Sequence, residues 1–135
     1  MQGIMADNDV LGQMRVIIRL LLSEAWSDLW LGLNLPVRVF KDLGLETDVS
    51  DAELWHACQD NQIVLITGNR NSAGPDSLES TIKKHNKPSS LPVFTLADPK
   101  AVSQGGAYAG RVVENMLQYL LEIDNVRGTG RLYLP

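Results

Sequence analysis

Ile63-Val64-Leu65-Ile66-Thr67-Gly68-Asn69-Arg70-Asn71 decides how this chain is read. Four branched apolar residues close on Thr67, in a run that is apolar on both sides of a pleat. Such a run predicts a strand buried on both faces. Strands of this kind belong to parallel α/β sheets, which hold their ligands outside the carboxyl ends of the strands. The polar turn Thr67–Asn71 therefore stands where a site is expected. The N-terminus repeats the arrangement: Gly3-Ile4-Met5-Ala6 leads into Asp7-Asn8-Asp9, carboxylates just past a second short apolar segment.

Working outward, Val10–Ala25 carries Val10, Met14, Ile17, Ile18, Leu21 and Leu22 at helical spacing. Trp26–Leu35 reads either as a buried turn or as part of a dimer surface. Pro36 then opens Val37–Phe40, which alternates like a short strand. Ser50-Asp51-Ala52-Glu53 has the S-x-x-E pattern of a capping box and starts a helix that ends near Asn61. Asn69–Pro75 forms a loop, Pro75 starts a helix through about His85, and Pro92–Leu96 is a further strand. Asp98–Gly106 is a polar connection, Ala107–Ile123 the longest clear helix, and Arg131–Leu134 a final edge strand closed by Pro135. Strand and helix in alternation predict an α/β fold: three layers, α/β/α, around a mostly parallel central sheet.

Composition sets the outer bounds. At 135 residues and 44% apolar content, the chain suits one domain, residues 1–135, around one core. A net charge of −4 gives no global attraction to nucleic acid, so binding there needs a local basic patch. The lone Cys58 excludes an internal disulfide and reads as a small apolar residue in a reducing compartment. The apolar stretch Val16–Leu22 is interrupted by Arg19 and falls far short of the ~20 residues of a membrane span. With no export signal at the start, a cytoplasmic location is expected.

Several side chains could carry chemistry. Asp7, fixed at a strand end, suits a hard cation such as Mg²⁺, which takes one or two carboxylates plus waters and phosphate oxygens. Asp9 fits either the same site or a cap on the following helix. Asp51 and Glu53 lie in the first turn of a helix, where acids also stabilise the helix dipole, and Glu53 is the natural capping partner of Ser50. Asn69 and Asn71 follow the central strand; an asparagine carbonyl can ligate a metal without contributing charge, and it also suits a turn. Arg70 between them matches phosphate geometry. Asp76 and Glu79 follow Gly74-Pro75, near enough in sequence to the Asn69–Asn71 turn to join it or to act as caps. Lys83 and Lys84, with His85 and Lys87, form the only basic cluster, which suits either a nucleic-acid backbone or a helix C-terminus. No Walker loop, no G-x-G-x-x-G, no nucleophile elbow and no cysteine–histidine metal cluster is present.

Ala6-Asp7-Asn8-Asp9-Val10, Ser50-Asp51-Ala52-Glu53-Leu54 and Val64-Leu65-Ile66-Thr67-Gly68-Asn69-Arg70-Asn71 together resemble a branch of the PIN-like superfamily. Many members are small bacterial toxin-type ribonucleases. In the related pattern an Asp ends the first strand, an acidic pair follows a Ser or Thr at a helix start, and the central strand ends in Thr-x-Asp-x-Asp-Phe. The match spans about half the chain. The resemblance implies Asp7 as the first metal-binding acid, Asp51 or Glu53 as the middle one, and Asn69 in place of the acid after the central strand. It further implies Mg²⁺ or Mn²⁺, RNA as substrate, and an antitoxin-like protein as partner. Asn69 and Asn71 stand where acids are expected and Ser72 where an aromatic is expected, so two formal charges are missing. Asp76 and Glu79 would restore them if the loop folds back. The expected site is thus Asp7, Asp51, Glu53, Asn69 and Asp76, with Arg70, Asn71, Lys83 and Lys84 on the substrate. An inactive PIN-like module that binds RNA or protein, and a structural homodimer subunit, are the alternatives.

Overall fold

The computed structural model describes residues 1–135. Chain order is β1 (Gly3–Ala6), a 3₁₀ turn at Asn8–Val10, α1 (Leu11–Leu21), α2 (Ser27–Leu33), β2 (Val37–Arg38), and a second 3₁₀ turn at Phe40–Leu43. Then come α3 (Asp51–Asp60), β3 (Ile63–Thr67), α4 (Leu78–His85), β4 (Val93–Leu96), α5 (Pro99–Ser103), α6 (Gly106–Leu121), α7 (Ile123–Val126) and β5 (Arg131–Leu134). The five strands form one sheet in the order β2-β1-β3-β4-β5, every neighbouring pair parallel.

The alternation of side chains along the strands builds both covering layers. Ile4, Ala6, Val64, Ile66, Phe94 and Leu96 pack on one face against Met14, Ile17 and Leu21 of α1 and Val113, Met116 and Leu117 of α6. Met5, Ile63, Leu65 and Val93 point the other way, onto Leu54, Trp55 and Cys58 of α3 and Leu78 and Ile82 of α4. The result is the three-layer α/β/α arrangement expected from the sequence. Each of these buried aliphatic side chains contributes about 1.5–3 kcal/mol of transfer free energy, so both layers are strongly held to the sheet.

Topology then selects one crevice. After β1 the chain moves outward to β2 at the edge, recrosses β1 to form β3, and continues through β4 to β5. The direction of winding reverses between β1 and β3, so the loops after these two strands diverge and leave a cleft at their carboxyl ends.

Several boundaries differ from the sequence expectation, each for a local reason. The first helix runs Leu11–Leu21 rather than Val10–Ala25; it follows a 3₁₀ turn, and the Ser23 hydroxyl donates to the Leu20 carbonyl at 2.6 Å beyond its end. Trp26–Leu35 contains α2, whose Trp30 is only 7% exposed and joins the chain's own core. That tryptophan is spent inside the molecule, not on a dimer surface. The strand expected over Val37–Phe40 stops at Arg38, because the Asp42 carboxylate accepts the Val39 N–H at 2.9 Å. The helix expected from Pro75 begins at Leu78, where the Ser77 hydroxyl accepts the Ser80 N–H at 3.2 Å. Asp98–Gly106 holds α5, capped by Asp98 through the Ala101 N–H at 3.1 Å. The longest helix ends at Leu121 rather than Ile123, and β5 forms the edge strand that the sequence suggested.

Candidate functional site

Asp7 follows β1 directly, and its own N–H extends the ladder to the Ile66 carbonyl at 2.8 Å. The sheet therefore fixes its backbone. Its Oδ1 accepts the Asn8 N–H at 2.7 Å and its Oδ2 accepts the Thr67 hydroxyl at 2.9 Å. Asp9, one 3₁₀ turn on, accepts the Gly68 N–H at 3.1 Å through Oδ2, and its Oδ1 lies 3.4 Å from the same threonine hydroxyl. Thr67 is fully buried and thus bridges two carboxylates across the β1–β3 crevice. Gly68 is needed there: a Cβ on it would stand 3.2 Å from Asp9 Oδ2 and 3.3 Å from Val10 Cγ1.

Asn69 connects this pair to the start of α3. Its N–H donates to Thr67 Oγ1 at 3.0 Å, and its Nδ2 donates to Asp51 Oδ2 at 3.0 Å. Asn69 Oδ1 accepts the Asn71 N–H at 2.8 Å, and Asn71 Oδ1 accepts the Ala73 N–H at 3.0 Å. These successive asparagine turns fix the orientation of the amide, since only its oxygen can meet a backbone N–H and only its nitrogen a carboxylate. Asn69 is brought to the site, then, as a donor to Asp51, with its oxygen turned into its own loop and away from a ligand position.

The electrostatics follow from crowding acids in a half-closed cleft. Burial is the main cause raising the Asp7 carboxyl above its ordinary value, and the neighbouring charges of Asp9 and, more weakly, Asp51 push it further up. The Thr67 and Asn8 hydrogen bonds oppose the shift without cancelling it. Asp9 is raised by burial first and by Asp51 to a lesser degree, against the pull of the Gly68 N–H and the Thr67 hydroxyl. Two carboxylates held at a cost in charge repulsion, with a third close enough to be felt, form an oxygen-rich set that suits a hard divalent cation.

The other expected residues are placed differently. Glu53 is exposed and stays with its cap: its N–H donates to Ser50 Oγ at 3.2 Å, and that hydroxyl points back to Glu53 Oε1 at 3.5 Å. Asp76 is exposed before α4, makes no hydrogen bond through its carboxylate, and does not fold back onto the crevice. Glu79 is drawn off by Arg131, whose Nη2 lies 3.2 Å from Glu79 Oε2. No three or more Asp, Glu, His or Cys side chains come together as a ready metal cage. Lys83 and Lys84 lie in the last turn of α4, which has run back toward the amino ends of the strands. There the His85 ring meets His56 edge to face, centroids 4.7 Å apart, and Asn86 Nδ2 donates to the Gly128 carbonyl at 2.8 Å. This basic cluster is thus at the far end of the sheet from the carboxylates. Arg70 remains beside the crevice, exposed, with Nη2 on the Ala97 carbonyl at 3.3 Å and its other donors free.

Arg131 was not foreseen. It begins β5, pairs with Val93, and lays its side chain along the α4 face of the sheet, with only 7% of that side chain exposed. Its Nη1 donates to the Thr95 hydroxyl at 2.6 Å and to the Asn69 carbonyl at 2.9 Å. One guanidinium therefore ties the turn after β3 to β4 and to Glu79 of α4. An arginine opening an edge strand gives no sign of this in sequence, because the reach depends on which face of the sheet it takes.

Compared with protein-family models, curated proteins and solved structures, the chain matches none.

Proposed function

We propose that this chain is a PIN-like, metal-dependent ribonuclease of the toxin type, with its centre in the β1–β3 crevice. The observation that carries this reading is the convergence of Asp7, Asp9 and, through Asn69, Asp51 at the carboxyl ends of two neighbouring parallel strands. Asp7 and Asp9 would hold Mg²⁺ or Mn²⁺, with Asp51 across the cleft and the remaining positions left to water and substrate oxygens. The bound ion supplies a water of lowered pKa and offsets charge on the phosphate. Thr67 holds the Asp7 and Asp9 carboxylates in register, and Gly68 leaves room for Asp9 to stand close to the strand end. Arg70, with free donors at the rim, would orient the scissile phosphate of an RNA strand.

Compared with the resemblance from which it starts, the centre drops Glu53, Asp76, Lys83 and Lys84, admits Asp9, and uses Asn69 as a positioning donor. A second reading has one specific observation in its favour. With Glu79 engaged by Arg131 and Asp76 turned outward, the acids that could replace the missing charges are both elsewhere. That favours a non-catalytic PIN-like module that binds RNA or an antitoxin-like protein.

Titrating Mn²⁺ while following thermal unfolding separates the two. A cation that binds the folded state alone stabilises it by about 2.7 kcal/mol at a hundredfold excess over its dissociation constant. The nuclease reading expects that rise, its loss in Asp7→Asn, and cleavage of a single-stranded RNA only when the metal is present. Absence of both the rise and the cleavage overturns it.

A further inference from the structure

The sheet stops short on the β2 side. β2 has two residues where β1 has four, so the edge leaves part of α1 uncovered. Leu11, Met14, Arg15 and Ile18 recur at helical spacing and face this gap. Together with Val37 and Phe40 the apolar members of that stripe form the floor of a groove of about 390 Å³. Two exposed cations stand around it, Arg15 and Lys41. Arg38 meets the groove from β2, but it pairs with Met5 and its side chain lies on the α3 face, beside Gly3. Neither Arg15 nor Lys41 is ion-paired, since the chain's two salt bridges are Arg127–Asp124 and Arg131–Glu79. In a protein of net charge −4, the lining of this groove holds cations and no carboxylate. The groove also adjoins the carboxylates. Asn8, whose N–H donates to Asp7, lines it, and the Asn8 Nδ2 donates to the carbonyl of Thr47 on its wall at 2.7 Å.

We infer that this groove between α1 and the β2 edge seats one nucleotide, the base on the apolar floor and the phosphate on Arg15 and Lys41. Charge complementarity selects an anion, and the arginine fork matches phosphate oxygens. The apolar floor selects a ligand that also carries a flat, weakly polar ring. The volume lies in the range of small-molecule sites, so it accommodates a single nucleotide, whereas an amphipathic helix needs a longer trough. The Asn8 carbonyl oxygen and the Thr47 hydroxyl offer polar contacts to a base edge. The ligand class stands on the chemistry of the groove; its place as a substrate subsite rests on the nuclease reading above.

Calorimetric titration with adenosine monophosphate and cytidine monophosphate, in chelator and without divalent cation, tests the groove apart from cleavage. Saturable binding is expected, at least about tenfold tighter than adenosine or inorganic phosphate alone, because each supplies one half of the recognition. The double variant Arg15→Glu with Lys41→Glu, both exposed positions, should weaken binding by about tenfold or more with an unchanged unfolding midpoint. No saturable binding by either nucleotide overturns the proposal. So does an affinity that the double variant leaves unchanged, phosphate binding as tightly as the nucleotides, or an acidic peptide binding in preference to them. Because no metal is present, nucleotide binding in a protein that fails to cleave RNA refutes the nuclease reading alone, and cleavage without such binding refutes the groove alone.

Discussion

The Thr67 hydroxyl lies 2.9 Å from Asp7 Oδ2, on the end of a strand that is adjacent in the sheet but sixty residues away in sequence. The same oxygen accepts the Asn69 N–H at 3.0 Å, so it joins the carboxylate of one strand end to the turn of the next. Replacement by valine keeps the shape and removes both functions. We expect Thr67→Val to cost about 1–3 kcal/mol, the scale of leaving buried polar partners unmet. Urea unfolding monitored by far-UV dichroism should show a lower midpoint with an unchanged slope.

The sign of the Asp7 shift gives a test in the absence of metal. Its folded value is raised above the ordinary aspartate value of 3.8, so the native state favours the protonated carboxyl. That contribution is fully present below the unfolded value and is lost as pH rises through the folded one. At neutral pH the ionised group therefore opposes folding, and Asp7→Asn should stabilise the metal-free protein by ~1 kcal/mol or less, given partial solvent access. The gain should shrink as pH is lowered into the acid range. Unfolding free energies of both proteins across pH would contradict this if the gain grew with acidity.

Arg131 predicts a loss confined to one region. Removing the guanidinium, as in Arg131→Met, frees the Asn69 carbonyl, the Thr95 hydroxyl and Glu79 together. A destabilisation of about 3 kcal/mol is expected for breaking a largely buried charge pair. Amide hydrogen exchange should speed up at Asn69–Asn71 and at the first turn of α4 more than at β1, because the Asn71 carbonyl accepts the Glu79 N–H at 3.4 Å. Uniform acceleration across the sheet would refute the local role.

Gly68 predicts a steric effect on the carboxylates. An added methyl at 3.2 Å from Asp9 Oδ2 and 3.2 Å from Pro99 Cγ obliges Asp9 or α5 to shift. Gly68→Ala should therefore cost about 1–3 kcal/mol by overcrowding and blunt the response of thermal stability to Mn²⁺. An unimpaired metal response would show that Asp9 takes no part in the site.

Cys58 offers a probe of global opening. It is 1% exposed on the sheet-facing side of α3, and burial, assisted by the Asp7 charge, pushes its thiol up to about 12. A thiol held protonated reacts slowly. Alkylation by iodoacetamide should follow the unfolding curve, and fast labelling of the native protein would contradict the packing described.

Much of the frame was legible in one dimension. The unbroken apolar run at Ile63–Thr67 could be buried only as a central parallel strand, and the capping pattern at Ser50–Glu53 marked a helix start that the structure keeps. Asp7 was legible as a carboxylate fixed at a strand end, because the ladder holds its backbone whatever lies around it. Glu53 and Asp76 were ambiguous for the opposite reason: an acid in or before a first helical turn is stabilised by the helix alone. The boundaries at Val39 and Pro75 were decided by single side-chain caps, Asp42 and Ser77, that compete with the backbone pattern.

The sequence by itself determined the period of its apolar residues, and with it the elements, the layers and the two strand ends that carry oxygen-bearing side chains. Only the tertiary structure decided that β3 lies beside β1, that Asp9 rather than Glu53 joins Asp7, that Asn69 turns its nitrogen inward, and that Arg131 draws Glu79 away. Periodicity is a property of neighbours along the chain, whereas a site is made by side chains brought together through the order and register of strands, which no local pattern encodes.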